Sequence, residues 1–300
     1  MAATLLRGEP VADSVVDAVA ERVDALAERG VAPTLATVLV SDEPSDERFL
    51  ALKHARAADV GIATRDVRLE PDVPARRLYR TVESLSADSA VDAVFVQLPL
   101  PDHVSLSTVR TRLDPAKDVD CFHPGNLGRL VAGDPRFVPA TPAAVRRLLA
   151  WYDVPVAGSD VVIVGRSDPI GRPLANLLLR DAPCGNATVT VCHSRTADLE
   201  SVTRRADVLV TAAGVPGLVD GSMLSSGVVV VDVSVNRYPK APPSGTPDGS
   251  APGVVGDVAF ESARERASAI TPVPGGVGPV TLAMLVRNVV RAAERRAGML

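Results

Sequence analysis

Residues 161–179 read VVIVGRSDPIGRPLANLLL. The run Val161–Val164 is short, apolar and β-branched, which predicts a strand buried on both faces. Gly165 permits a tight turn, and Pro169 to Arg180 has the pattern of a helix. Gly171 permits close helix-to-strand packing, and the free N–H groups at the helix start can take a pyrophosphate. Arg166 and Ser167 intervene, so only two glycines of the usual GxGxxG match. By itself the stretch is as readily a structural turn as a dinucleotide loop.

Downstream the same alternation continues. ATVTVC at 187–192 reads as a strand, about Thr196 to Arg205 as a helix, and DVLVTAAG at 207–214 and GVVVVDVSV at 227–235 as two more strands. The polar, Pro/Gly-rich stretch between Tyr238 and Gly253 reads as an exposed loop, and Val280 to Arg296 as a helix. Upstream stands another α/β series. Val15, Val16, Val19, Val23 and Leu26 mark an amphipathic helix that Gly30 stops. Strands at Thr34–Val40, Ile62–Leu69 and Val91–Gln97 alternate with helices at about Ser45–Val60 and Pro74–Leu85. The loop-rich stretch 114–143 separates the two series as a boundary or a functional loop. Strands alternating with helices predict parallel sheets with right-handed crossovers.

Composition narrows the function. A chain of 300 residues, 46% hydrophobic and 23% charged, suits two domains and excludes wholesale disorder. A net charge of −4 gives nucleic acid no bulk attraction, and 3% aromatic residues leave few stacking platforms. The apolar runs are broken well short of the ~20 residues a membrane helix needs, and Glu9 and Asp13 interrupt any signal-like start. A cytoplasmic protein is expected. Cys121, Cys184 and Cys192 form no CxxC and read as buried small apolar residues. His54, His103, His123 and His193 lack metal-ligand spacing, so no metal is expected.

Several side chains carry possible chemistry. A dinucleotide fold usually holds an acidic residue after its second strand, but here the sequence is His193-Ser194-Arg195-Thr196. Ser194, Arg195 and Arg166 suit a 2′-phosphate, which predicts NADP rather than NAD, although Arg195 alone would be a solvated charge. Phe49 and Lys53 share one helix face. Gln97 ends the strand VFVQLPLP at the carboxyl end, where open α/β sheets bind ligands. Asp120 lies in the loop-rich stretch. Individually, Lys53 could be a solvated surface lysine, Gln97 a capping amide and Asp120 a turn residue. The segment TPVPGGVGP at 271–279 reads as a stiff, side-chain-poor loop that lets backbone approach a flat ligand.

Together these motifs resemble the bifunctional methylenetetrahydrofolate dehydrogenase/cyclohydrolase family. The matching pieces are Lys53 in its helix, VQLPLP at 96–101, KDVDCFHPGNLGRL at 117–130, GRSDPIGRP at 165–173, CHSRT at 192–196, GDV at 256–258 and TPVPGGVGPVT at 271–281. They stand in family order along nearly the whole chain. The resemblance implies an α/β fold with two domains around a cleft. The first is a folate-binding domain over 1–140, to which a C-terminal helix over 280–300 returns; the second, 141–279, is a Rossmann-type NADP-binding parallel sheet. It implies Lys53 as the catalytic lysine, Gln97 as its hydrogen-bonding partner and Asp120 as the anchor of the pterin N–H groups. Folate would also meet Phe49, Val96, Leu98 and the loop Pro274, Gly275, Gly276, Val277, Gly278, Pro279. NADP would meet Gly165, Arg166, Ser167, Ser194 and Arg195, with Val235 and Thr281 near the nicotinamide. The expected partners are tetrahydrofolate derivatives and a second copy in a homodimer, with no nucleic acid and no membrane.

Three departures from the family pattern bear on activity. Phe49 replaces a tyrosine, Pro139-Ala140-Thr141-Pro142 is followed by Ala143 in place of a glycine and itself replaces Pro-Cys-Thr-Pro, and Ser234 and Val235 replace Gly and Ile. Phe49 keeps a stacking ring without the hydroxyl, which bears on hydrolysis. The alternatives are a dehydrogenase with weak or no hydrolysis, another two-domain NADP dehydrogenase of shikimate type, or a non-catalytic folate-binding module.

Overall fold

The computed structural model describes residues 3–237 and 253–300. Most of the polar stretch read as a loop between Tyr238 and Gly253 lies outside the described residues. The first series comprises β1 Thr4–Leu5, α1 Glu9–Ala27, β2 Thr34–Leu39, α2 Pro44–Asp59, β3 Ala63–Arg68, α3 Ala75–Ala87, β4 Ala93–Val96, α4 Leu106–Arg112 and α5 Pro124–Val131. Next come α6 Ala140–Trp151, β5 Asp160–Val164, α7 Gly171–Leu179, β6 Thr188–Cys192, α8 Leu199–Thr203, β7 Val208–Thr211 and β8 Val229–Asp232. The short β9 Asn236–Arg237 and β10 Val254–Val255, α9 Phe260–Arg264, β11 Ala269–Ile270 and the long α10 Val277–Arg296 complete the chain.

The chain divides into two units. One comprises Asp13–Ala140 with Leu282–Leu300, the other Met1–Ala12 with Thr141–Thr281. The first holds a parallel sheet in the order β3-β2-β4. Leu78, Val82 and Leu85 recur at helical spacing on α3 and pack in one buried cluster with Ala36, Val38 and Val94 of the sheet. The final helix is fastened within this unit. Glu294 pairs with Arg22 at 2.5 Å, Arg296 bonds the buried Asp92 at 2.5 Å, and Asn288 Nδ2 donates to the carbonyls of Val119 and Val138 at 2.7 and 2.8 Å.

The second unit holds a six-stranded parallel sheet in the order β1-β11-β8-β7-β5-β6. Its central strands are the β-branched runs, and Val162, Leu209, Val230 and Ile270 join one buried core. Strand β1 pairs with β11 at Thr4↔Ala269 and Leu5↔Ile270, so the first residues group with this sheet rather than with a domain over 1–140.

Local chemistry shifts other boundaries. The loop-rich stretch contains α5 because His123 Nδ1 caps Gly125 N at 2.9 Å and Pro124 occupies the first turn. That use of His123 is structural. Helix α10 starts at Val277, earlier than its sequence pattern predicts, since Pro279 in a first turn forfeits no intrahelical bond. Cys121 and Cys192 are buried as expected, but Cys184 is only partly so.

Candidate active site

In the first unit, α2 and the end of β4 bring Lys53 and Gln97 together. Lys53 Nζ donates to Gln97 Oε1 at 3.0 Å and reaches the Phe49 carbonyl, one helical turn back, at 3.5 Å. Gln97 Nε2 is fixed on the Leu98 carbonyl at 2.7 Å, which turns its oxygen to the lysine. The ammonium lies 4.8 Å from the Phe95 ring centroid and 6.0 Å from that of Phe49. Removal from water outweighs the carboxylates of Asp120 and Asp46, and lowers Lys53 to about 8.

Asp120 lies within a loop that Asp118 holds. The buried Asp118 carboxylate accepts from the backbone N–H of Phe122 and His123 at 2.7 and 2.8 Å and from Asn126 Nδ2 at 2.8 Å. Asp120 Oδ1 accepts from Ala140 N at 2.9 Å, while among the described residues no donor reaches its other oxygen. Protein surrounds this carboxyl although solvent still touches it, and burial raises it to about 6. Its environment therefore differs from that of an ordinary turn aspartate.

Two contributors escaped sequence reading. Phe95 and Gln97 are two apart on a strand and share a face. Asp46 and Lys53 are seven apart on α2, again one face. Both spacings were signals. By the same alternation Val96 turns into the apolar core.

In the second unit, the turn after β5 is tightly built. Gly165 has φ 138°, and a Cβ there would lie 2.3 Å from the Ala212 carbonyl oxygen. A Cβ on Gly171 would lie 2.1 Å from the Gly165 oxygen. No side chain caps the start of α7, but little of its backbone is free for a phosphate: Arg172 N donates to the Ser167 carbonyl at 3.2 Å and Pro173 has no N–H. The nearby Asp168 carboxylate is paired with Arg172 at 2.5 Å. Arg166, Ser167, Ser194 and Arg195 are exposed, and among the described residues no carboxylate pairs with either arginine. This cradle fits a dinucleotide carrying a 2′-phosphate: a turn that Gly165 and Gly171 keep clear of side chains for the pyrophosphate, and exposed guanidiniums for the extra anion.

Val235 is 48% exposed beyond β8. Thr281 spends its hydroxyl on the Val277 carbonyl at 3.2 Å. Pro274, Gly275 and Gly276 form the turn before α10, whose first residues are Val277, Gly278 and Pro279. The Gly275 carbonyl accepts from Gly8 N at 2.8 Å.

Residues 6–120 match the family description "Tetrahydrofolate dehydrogenase/cyclohydrolase, catalytic domain", and residues 139–297 match "Tetrahydrofolate dehydrogenase/cyclohydrolase, NAD(P)-binding domain". The chain belongs to the tetrahydrofolate dehydrogenase/cyclohydrolase family. It is 50% identical to "Bifunctional protein FolD" of Haloquadratum walsbyi over 96% of this chain and 90% of that one. It is 48% identical to "Bifunctional protein FolD 2" of Haloarcula marismortui over 99% and 98%. Among solved structures, the Trypanosoma brucei methylenetetrahydrofolate dehydrogenase-cyclohydrolase, complexed with NADP cofactor and inhibitor, superposes with TM-score 0.90 at 38% identity, covering 99% of each chain. The Campylobacter jejuni enzyme gives 0.89 at 38%, covering 98% of this chain and all of that one. A shikimate dehydrogenase aligns at only 14% identity, a likeness of fold alone. Within the family, Lys53 and Gln97 are directly bonded here, and Phe49 presents a bare ring to the lysine.

Proposed function

We propose that this chain oxidises 5,10-methylenetetrahydrofolate to 5,10-methenyltetrahydrofolate with NADP and hydrolyses the product to 10-formyltetrahydrofolate. The observation that carries this reading is a lysine drawn down to about 8, bonded to Gln97 in a chain of this family. When bound, NADP supplies the hydride acceptor. The turn Gly165–Ser167, with Arg166 and Ser167 exposed, and the hydroxyl and guanidiniums of Ser194, Arg195 and Arg166 would hold its phosphates.

The protein's task in oxidation is alignment. The open oxygen of Asp120 can accept N–H groups of the pterin, and the Phe49 ring gives it an apolar face. In hydrolysis, Lys53 as the amine accepts a proton from water attacking the methenyl carbon. As the ammonium it returns that proton to the ring nitrogen released when the bridge opens, while the remaining O–H proton of the adduct leaves to solvent as the formyl C=O forms. Gln97 keeps Nζ aimed throughout. A cationic methenyl group beside Nζ would lower the lysine further and enlarge its amine fraction near neutrality.

The family resemblance extends to a homodimer in the cytoplasm, and sedimentation of the purified chain reads the oligomeric state. No described helix is long and apolar enough to cross a membrane. A two-wavelength assay tests the reading, following NADPH and methenyl-folate together from methylenetetrahydrofolate. NADPH should form with methenyl-folate passing on to the formyl product. No NADPH formation would contradict the reading, and NADPH with stoichiometric methenyl-folate would leave a dehydrogenase alone.

A further inference from the structure

The GDV segment at 256–258 matched the family without a role, yet Asp257 is a point of convergence. It is fully buried. Its Oδ2 accepts from Ala213 N at 2.6 Å, Gly214 N at 3.1 Å and Ser234 Oγ at 2.7 Å. Its Oδ1 accepts from Val215 N at 2.8 Å and Asn236 Nδ2 at 2.9 Å. Three of these donors leave the end of β7 and two leave the end of β8. One carboxylate therefore fixes both loops.

Each loop presents one exposed valine: Val215 is 46% and Val235 48% exposed. One buried anion thus fixes two loops that each carry an exposed valine. Ser234 adds a second tie, since its Oγ also accepts from Gly214 N at 3.2 Å. A glycine at this position, as in the family pattern, could make neither contact. Asp232 steadies the same corner, accepting from Ser234 N at 3.1 Å and Val258 N at 2.8 Å.

Strand order says what these valines would meet. The sheet runs β6-β5-β7-β8, with the 2′-phosphate candidates after β6 and the pyrophosphate cradle after β5. Neighbouring strands lie about 4.8 Å apart, so the ends of β7 and β8 stand about 5 and 10 Å beyond the cradle. A dinucleotide anchored at the first two places lays its other half over the second two.

We propose that Asp257 is a positioning residue for the nicotinamide half of NADP, holding Val215 and Val235 as apolar contacts for a flat ring, and that Ser234 strengthens this hold in a way the family's glycine does not. The inference rests on the functional reading above. It requires a carboxylate: an asparagine would aim its own N–H groups at backbone N–H donors. Ser234→Ala is the milder lesion, deleting one donor and one acceptor.

Saturation-transfer NMR of NADP on the full chain separates this role from simple bracing, because nicotinamide and adenine protons report separately. With the parent, both should be saturated. In Asp257→Asn the nicotinamide signal should be lost and in Ser234→Ala weakened, while the adenine signal persists. In parallel, the ratio of hydride transfer to hydrolysis should fall roughly tenfold or more in Asp257→Asn, as a misplaced reactant predicts, through kcat rather than KM for NADP. If Asp257→Asn does not fold, Ser234→Ala decides on the same signals. Parent-like nicotinamide saturation in the variant, or both activities falling in proportion, overturns the inference alone. A parent that saturates no NADP proton overturns the functional reading and this inference with it.

Discussion

Asp120 in the first unit accepts one hydrogen bond, from Ala140 N, whereas Asp257 in the second accepts five. Burial raises Asp120 to about 6, and it faces a lysine lowered to about 8. A carboxylate with an oxygen to spare beside a partly desolvated amine is poised for a ligand and for protons. One with every lone pair engaged serves as a brace. Under the proposed function this difference is a division of labour: proton chemistry at the Lys53 corner, and alignment at the loops that Asp257 ties.

The largest effect should follow Lys53→Met, which keeps much of the aliphatic stem and removes the charge. Hydrolysis should drop by roughly two orders of magnitude or more, the usual share of acid–base catalysis, with dehydrogenation falling less. Methenyl-folate would then accumulate beyond its spontaneous decay in the two-wavelength assay. The variant should also melt higher at neutral pH, because the native lysine is charged there against its desolvation. A proportional loss of both activities would reduce Lys53 to positioning.

Asp120→Ala comes next. Losing the acceptor for buried N–H groups costs about 1–3 kcal/mol, which should appear in folate affinity and slow both reactions. Unchanged folate affinity would make Asp120 merely a partner for Ala140 N. On the other side of the comparison, Arg166→Ala should erode preference for NADP over NAD by about tenfold, the worth of one charge-assisted contact, chiefly through the cofactor's KM. Equal efficiency of the parent with both cofactors would contradict the 2′-phosphate assignment.

The smallest effect is expected from Phe49→Tyr. Its ring centroid lies 6.0 Å from Lys53 Nζ, so a restored hydroxyl can order water near the amine. Hydrolysis should rise a few-fold with hydride transfer unchanged, and no rise would show that the bare ring suffices.

What the sequence made legible follows the range of the interactions. Strands β2, β5 and β8 announce themselves because a parallel strand buried on both faces needs a near-continuous apolar run rich in β-branched residues. Strand β1 is silent: two residues carry no pattern, and their conformation is set by pairing with β11 over 260 residues away. Helix α5 was hidden because its cap is a histidine ring rather than a usual capping residue. Lys53, Gln97 and Asp120 were legible only as members of ordered motifs, since each alone is an ordinary surface or turn residue. Phe95 could have been read by alternation from Gln97. Asp257 could not be assigned a partner, because its donors come from loops 21 to 44 residues away.

The pH profile of methenyltetrahydrofolate hydrolysis, corrected for the spontaneous reaction, tests the role of Lys53 most directly. Burial lowers this lysine to about 8, so the active amine fraction grows as pH rises through that value. The rate should climb to a plateau with its break at about 8 or lower once the cationic substrate is bound, and the break should vanish in Lys53→Met. A flat profile across that range, or the same break in Lys53→Met, would contradict proton transfer by Lys53.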